Sequence, residues 1–179
     1  YEAAVQGMPE YNSLVSHYNG LSLPVAEKGL EYHWPTCVHA AYAKSFEAFF
    51  PTAPADKLDQ LYILEKKYND KFSAEVPQDV YNRSKNFGEV IAETIYVWSK
   101  TDAAGHEAYL HNNDPSYNPP AGIGRWQPTY PDYTQALLPH WGQVRTFAAN
   151  QDDKVVAPLT YSEDPNSELY NQARETMLK

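Results

Sequence analysis

The sequence predicts an all-α fold, a portion of a helical bundle joined to a long irregular loop rich in proline and aromatic residues. Three observations carry that prediction. Apolar residues recur at steps of three and four along three successive segments, each opened by a proline. No sustained stretch alternates apolar with polar residues, so strands have no footing. Between Thr101 and Tyr133, Asn112-Asn113-Asp114-Pro115, Asn118-Pro119-Pro120 and Gly122-Ile123-Gly124 forbid regular structure.

Residues 1–33 read as an extended and turn segment punctuated by Pro9, Asn19-Gly20 and Pro24. The remainder, 34–179, reads as the N-terminal helical half of a larger all-α domain, with helices confined to 34–102 before the loop. The first helix opens at Trp34-Pro35, with Pro35 suited to a first turn, and stops before Pro51. Trp34, Val38, Ala41, Tyr42, Ser45 and Phe49 form its expected stripe, and Ala40, Ala41, Ala43 and Ala48 invite a close neighbour. The second runs from about 55 to 72 on Leu61, Leu64, Tyr68 and Phe72. The third runs from about 77 to 100 on Val80, Phe87, Ile91, Ile95 and Trp98. Gly88 costs that helix about 1 kcal/mol relative to Ala, which points to a close crossing there.

The loop of 103–133 carries Tyr109, Tyr117, Trp126, Tyr130 and Tyr133, so it is expected to be ordered and packed. A short helical piece follows in 134–149, broken by Pro139 and Gly142. Asp164-Pro165 predicts the start of a last helix over 165–179. No Gly or Asn closes it, and the expectation is a chain cut within an element of a longer protein.

Composition excludes several functions. The 179 residues hold 14 Lys and Arg against 23 Asp and Glu, a net charge of −9 that argues against nucleic acid as a partner. No apolar run reaches the roughly 18 residues of a membrane span. The single cysteine, Cys37, removes disulfide scaffolds and multi-cysteine metal sites. Fifteen Tyr and 14 Pro suit an exported protein, periplasmic or secreted.

Few constellations promise chemistry. His106, His111 and Asp114, with Asp102 and Glu107 nearby, match no tight ligand spacing and read as surface polar residues. Cys37 and His39 stand two apart on a helix and do not face each other, so no nucleophile pair is expected. Glu163 and Asp164 suit a helix N-terminus. The most distinctive stretch, Gly122 to Ala148, sets Arg125, His140 and Arg145 among Trp126, Tyr130, Tyr133 and Trp141. Cations beside aromatic faces make either a ligand-recognition surface or a proline-rich strap stapled down by its tryptophans. A binding module, stacking glycans on exposed Tyr and Trp of 103–145, is the rival reading from a different class.

RWQPTYPDYTQALLPHWGQVRTFA resembles a stretch of the vanadium-dependent haloperoxidase and type 2 phosphatidic acid phosphatase superfamily, in particular its soluble bacterial chloroperoxidase-related members. WPTCVHAAYAKSFEAFFP, RSKNFGEVIAETIYVWSKTD and YSEDPNSELYNQA extend the resemblance from about residue 30 onward. It implies an all-helical protein whose complete form holds vanadate or phosphate. That protein would either hydrolyse phosphomonoesters or oxidise halide with peroxide. In the family a Lys, two Arg, a Ser-Gly-His run and a final His build the pocket. No Pro-Ser-Gly-His run occurs here, so no catalytic residue and no metal ligand carries over. The implied partner is the remaining C-terminal half, with a small-molecule substrate. Arg125, Trp126, His140, Trp141 and Arg145 are then expected on the pocket rim.

Overall fold

The computed structural model describes residues 1–147, 149, 153 and 157–179. Among them are five α-helices: α1 (Glu2–Val5), α2 (Trp34–Phe49), α3 (Ala55–Ser73), α4 (Gln78–Ser99) and α5 (Glu168–Met177). The predicted all-α class holds. Among the described residues β pairing is confined to one isolated antiparallel bridge, Asn113 with Leu137. The three central helices start and stop within a residue or two of their expected bounds. Pro54 and Pro77 sit at the N-caps of α3 and α4 with extended ψ values of 141° and 146°. An N-cap needs that non-helical backbone, and proline's fixed φ supplies it.

The chain forms two compact units, Tyr1–His106 and Glu107–Lys179. In the first, α2 crosses α4 at Gly88, where a Cβ would lie 2.0 Å from the Cys37 carbonyl oxygen. The expected close crossing is therefore real. Around it Ala3, Cys37, Phe87 and Ile91 form the buried cluster, with Tyr32, Trp34 and Ile95 packed against it. Tyr32 meets the Phe87 ring edge-on at 5.4 Å. Burial pushes the Cys37 thiol up to about 11, opposed in part by a hydrogen bond with Ser84. The thiol is a core group.

The stripe expected on α2 packs on α4 in part: Trp34 and Ala41 join the buried cluster, and the Phe49 ring meets Tyr96 of α4 edge-on at 5.5 Å. Thr36, Cys37 and Ala40 are buried there, while Tyr42 and Phe49 are exposed. The crossing at Gly88 is too close for large side chains, so small residues take the seam itself, Trp34 and Phe49 meet α4 at either end of it, and Tyr42 turns away. On α4 the expected face holds: Val80, Phe87, Ile91 and Trp98 are buried. α3 buries no residue at all.

Residues 1–33 lie against these helices. The buried Glu2 carboxylate accepts hydrogen bonds from Ser13 Oγ (2.7 Å) and Leu14 N (2.8 Å). Gln6 clamps the strand-like turn opposite, donating to Pro24 O (3.0 Å) and accepting from Ala26 N (2.6 Å). Trp98 Nε1 donates to Asn19 O at 3.0 Å. Short irregular segments hold position when their backbone groups find such partners.

The second unit departs more from expectation. Its last helix begins at Glu168, not at Asp164-Pro165, because Asp164 spends its carboxylate on a turn. Asp164 Oδ1 accepts from Asn166 N (2.9 Å), and Ser167 Oγ takes the cap by accepting from Tyr170 N (3.2 Å). Of the helical piece expected in 134–149, only a 3₁₀ turn at Trp141–Gln143 forms, and position 148 lies outside the described residues. Most of the loop aromatics are not packed: Tyr109, Trp126, Tyr130 and Tyr133 are exposed, while Tyr117 is half-buried against the His140 ring. No described residue after Trp98 is buried, so this unit has no core of its own to receive them.

The crossing gives a test with a definite sign. Ala in place of Gly88 gains about 1 kcal/mol of helix propensity yet drives a methyl into backbone that cannot swing aside. Gly88→Ala should destabilise by about 1–3 kcal/mol, the usual range for overpacking. Urea melts of the two proteins check this, and a stabilised variant would show that α2 and α4 stand farther apart.

Candidate functional site

The cation and aromatic residues singled out in the sequence lie in Glu107–Lys179, and the backbone there is shaped by turns. Gly122 and Gly124 adopt φ of 144° and 73°, values that L side chains rarely reach. Gly124 also lies under the Tyr161 ring, where a Cβ would approach Cγ to 2.6 Å. Tyr161 Oη donates to Glu163 Oε1 at 2.7 Å, and that bond raises the phenol above its ordinary value. Glu163, read from the sequence as a helix N-terminal acid, is thus engaged by Tyr161. This turn presents Arg125 and Trp126 outward.

Arg125 and Trp126 line a groove of about 600 Å³ with Tyr117, Pro119, Pro120 and Leu137. They also border a shallower hollow with Tyr161 and Glu163. Trp126 is 52% exposed and Trp141 58%, so neither tryptophan staples the strap to a core within this chain. An exposed guanidinium beside aromatic faces can meet an anionic or flat ligand.

His140 belongs to a neighbouring network. Its Nε2 lies 2.8 Å from Asp114 Oδ2, and its ring meets Tyr117 edge-on at 5.8 Å. Ser116 adds two donors to Asp114 Oδ1, from its amide (2.8 Å) and hydroxyl (2.6 Å). His140 first, and Ser116 second, hold the Asp114 carboxyl down at about 2. Tyr117 therefore links the two clusters, lining the groove on one side and meeting His140 on the other. Trp141 and Arg145 do not line this groove. The structure gathers Arg125 and Trp126, sets His140 one residue away through Tyr117, and leaves the other two outside.

Three participants escaped the sequence reading. Tyr117 was one aromatic among many, and Tyr161 lay outside the strap. Asp114 was grouped with His106 and His111, whereas its partner stands 26 residues on. Only the Asp-Pro-Ser spacing, which favours a side-chain-capped turn, hinted that Asp114 was occupied. Among the described residues no three His, Cys, Asp or Glu side chains converge as a metal site would require.

The Asp114 network predicts a titration. Its carboxyl should titrate near 2 rather than the ordinary 3.8. Because the folded value is depressed, the network's stabilisation is complete above the ordinary value and is lost as pH falls through 2. His140→Ala should move the midpoint upward, part of the way to 3.8, with Ser116 still donating. Carbon-detected NMR titration of the carboxyl reads both values, and an unmoved midpoint would remove His140 as its main partner.

A comparison with protein-family models finds no match, and neither does one with curated proteins. A comparison with solved structures finds a crystal structure described as the first bacterial vanadium-dependent iodoperoxidase. The two share 25% sequence identity and a TM-score of 0.67. The similarity covers 99% of this chain and 41% of the other, so the chain spans about two-fifths of the length of the structure it matches. This agrees with the resemblance to vanadium-dependent haloperoxidases carried by the sequence blocks, and it is consistent with an N-terminal half of such a protein.

Proposed function

We propose that this chain is the N-terminal helical part of a protein that binds vanadate or phosphate. That protein would use the oxyanion pocket to oxidise halide with peroxide or to hydrolyse phosphomonoesters. The observation that carries the reading is the similarity to a vanadium-dependent iodoperoxidase over 99% of the chain. An oxyanion needs several cations and donors converging on one point. The described residues do not fit that need: Arg125 stands exposed without a second lining cation, and His140 Nε2 is engaged by Asp114. The pocket on this reading is built by the rest of the fold, and no step of the reaction is assigned to residues of this chain. Export to the periplasm or the exterior fits the Tyr- and Pro-rich composition.

The strap from Pro119 to Phe147 would then border the mouth of that pocket, with Arg125 meeting an anionic or polarised substrate and Trp126 offering a flat face. Trp141, Arg145 and His140 complete the proposed rim. The glycan-binding alternative rests on the same exposed aromatics and is distinguished by ligand: it requires sugar binding with no oxyanion dependence.

Two outcomes test this reading. The 179-residue chain alone should bind no vanadate in ⁵¹V NMR titration and turn over neither iodide nor a phosphomonoester, whereas the polypeptide encoded by the whole gene should bind vanadate. Arg125→Ala in that whole protein should raise KM about fivefold, since an exposed ion pair contributes about 1 kcal/mol at most, and leave vanadate affinity unchanged. Unaltered kinetics would remove Arg125 from the rim, and phosphatase activity of the short chain insensitive to vanadate would overturn the pocket assignment.

A further inference from the structure

We propose that the groove between α2 and α3 is the seat of an amphipathic helix with basic borders, contributed by the part of the fold that lies outside residues 1–179. The inference rests on the reading above only in taking the 41% coverage as a measure of how much of the fold is elsewhere.

The groove measures about 610 Å³, and its apolar floor includes Tyr42 and Phe46 of α2 with Leu58, Leu61 and Tyr62 of α3. Tyr42 is 62% exposed and Tyr62 56%, which is unusual for large side chains in the middle of regular helices. The apolar surface continues past Val38 and Tyr68 into a second hollow of about 450 Å³ beside Met8 and Phe72. Two adjacent helices presenting aligned ridges of this kind form a receiving surface for a third. Large apolar side chains exposed along two adjacent helices are covered in a finished protein, and about three-fifths of the matched iodoperoxidase lies beyond the part similar to this chain.

Charge selects the occupant. Glu47, Glu65 and Glu89 border the groove against a single cation, Lys44. Lys44 is already claimed by Glu47 at 3.6 Å and Glu93 at 3.5 Å, and those carboxylates raise its pKa. A second copy placed symmetrically would bring the same carboxylates into opposition, which disfavours self-association. A helix with an apolar stripe flanked by Lys and Arg meets both the floor and the border.

A site-directed cross-link decides the matter. In the protein encoded by the whole gene, Tyr62→Cys is labelled with benzophenone maleimide and irradiated. Cys37 stays unlabelled because it is wholly buried. Ile63→Cys, exposed on α3 but not lining the groove, serves as the control. The expected result is an intramolecular cross-link from position 62, mapped by mass spectrometry to a segment outside 1–179 with apolar residues at helical spacing and basic flanks. It should be weaker at least tenfold from position 63. Glu47→Lys combined with Glu65→Lys should lower the yield from position 62. A cross-link to residues 1–179 of another copy, equal yields from 62 and 63, or no cross-link at all would overturn the proposal. Vanadate titration of the same preparation separates the two readings. Vanadate bound without a cross-link overturns only the groove, and a cross-link without vanadate binding overturns only the oxyanion function.

Discussion

The close approach of α2 to α4 at Gly88 is the constraint from which the rest of the first unit follows. With no side chain at position 88, the backbone of α4 comes against the Cys37 carbonyl. Only small residues fit along such a seam, so α2 offers Thr36, Cys37 and Ala40. Ser84, one turn before the crossing, is fully buried and is satisfied by donating to Val80 O (2.7 Å) while accepting from His33 N (2.8 Å). That second bond fixes the N-terminal end of α2 on α4. The large aromatic residues Tyr32, Trp34 and Phe87 then pack against one another beside the seam. One missing Cβ sets both the helix spacing and the sorting of side chains by size.

That sorting explains what the sequence disclosed and what it hid. Helix positions were legible because periodicity and proline punctuation are local properties, and α2, α3 and α4 fall where those signals put them. The crossing was legible too, since Gly88 stands out inside a strong helical pattern. The seam residues of α2 were not. Hydrophobic size marked Trp34, Val38, Tyr42 and Phe49, but a seam set by backbone contact favours Cys37 and Ala40 over bulk. Pattern reading counts apolar residues; it has no access to the distance between two helix axes.

In the second unit the limits were of another kind. The aromatic and proline-rich strap was visible from composition, and Arg125 with Trp126 does line a groove. Which residues join them depends on turns and long-range pairings with no periodicity to read. Asp114 pairs with a histidine 26 residues away, and Tyr161 packs on Gly124 from outside the strap. The start of α5 was misplaced for a local reason, because Asp164 and Ser167 both offer side-chain oxygens and the turn at Asp164 takes the first of them. Sequence supplied the ingredients of this region, and backbone geometry assigned the partners.

Electrostatics bears on the division of labour between this chain and the rest of the proposed protein. Most of the lysines that are placed carry a carboxylate partner: Lys44, Lys57, Lys66, Lys71, Lys85 and Lys179 are all in ion pairs. With a net charge of −9 the chain offers little attraction to an oxyanion at long range. Screening limits such repulsion to about 8–10 Å at ordinary ionic strength, so a dense cationic pocket farther away would not feel it. Arg125, by contrast, stands exposed on the strap and lines a groove with aromatic walls. The chain's contribution on this reading is a rigid helical wall, an apolar seat for its neighbour, and one guanidinium on the strap that borders the groove.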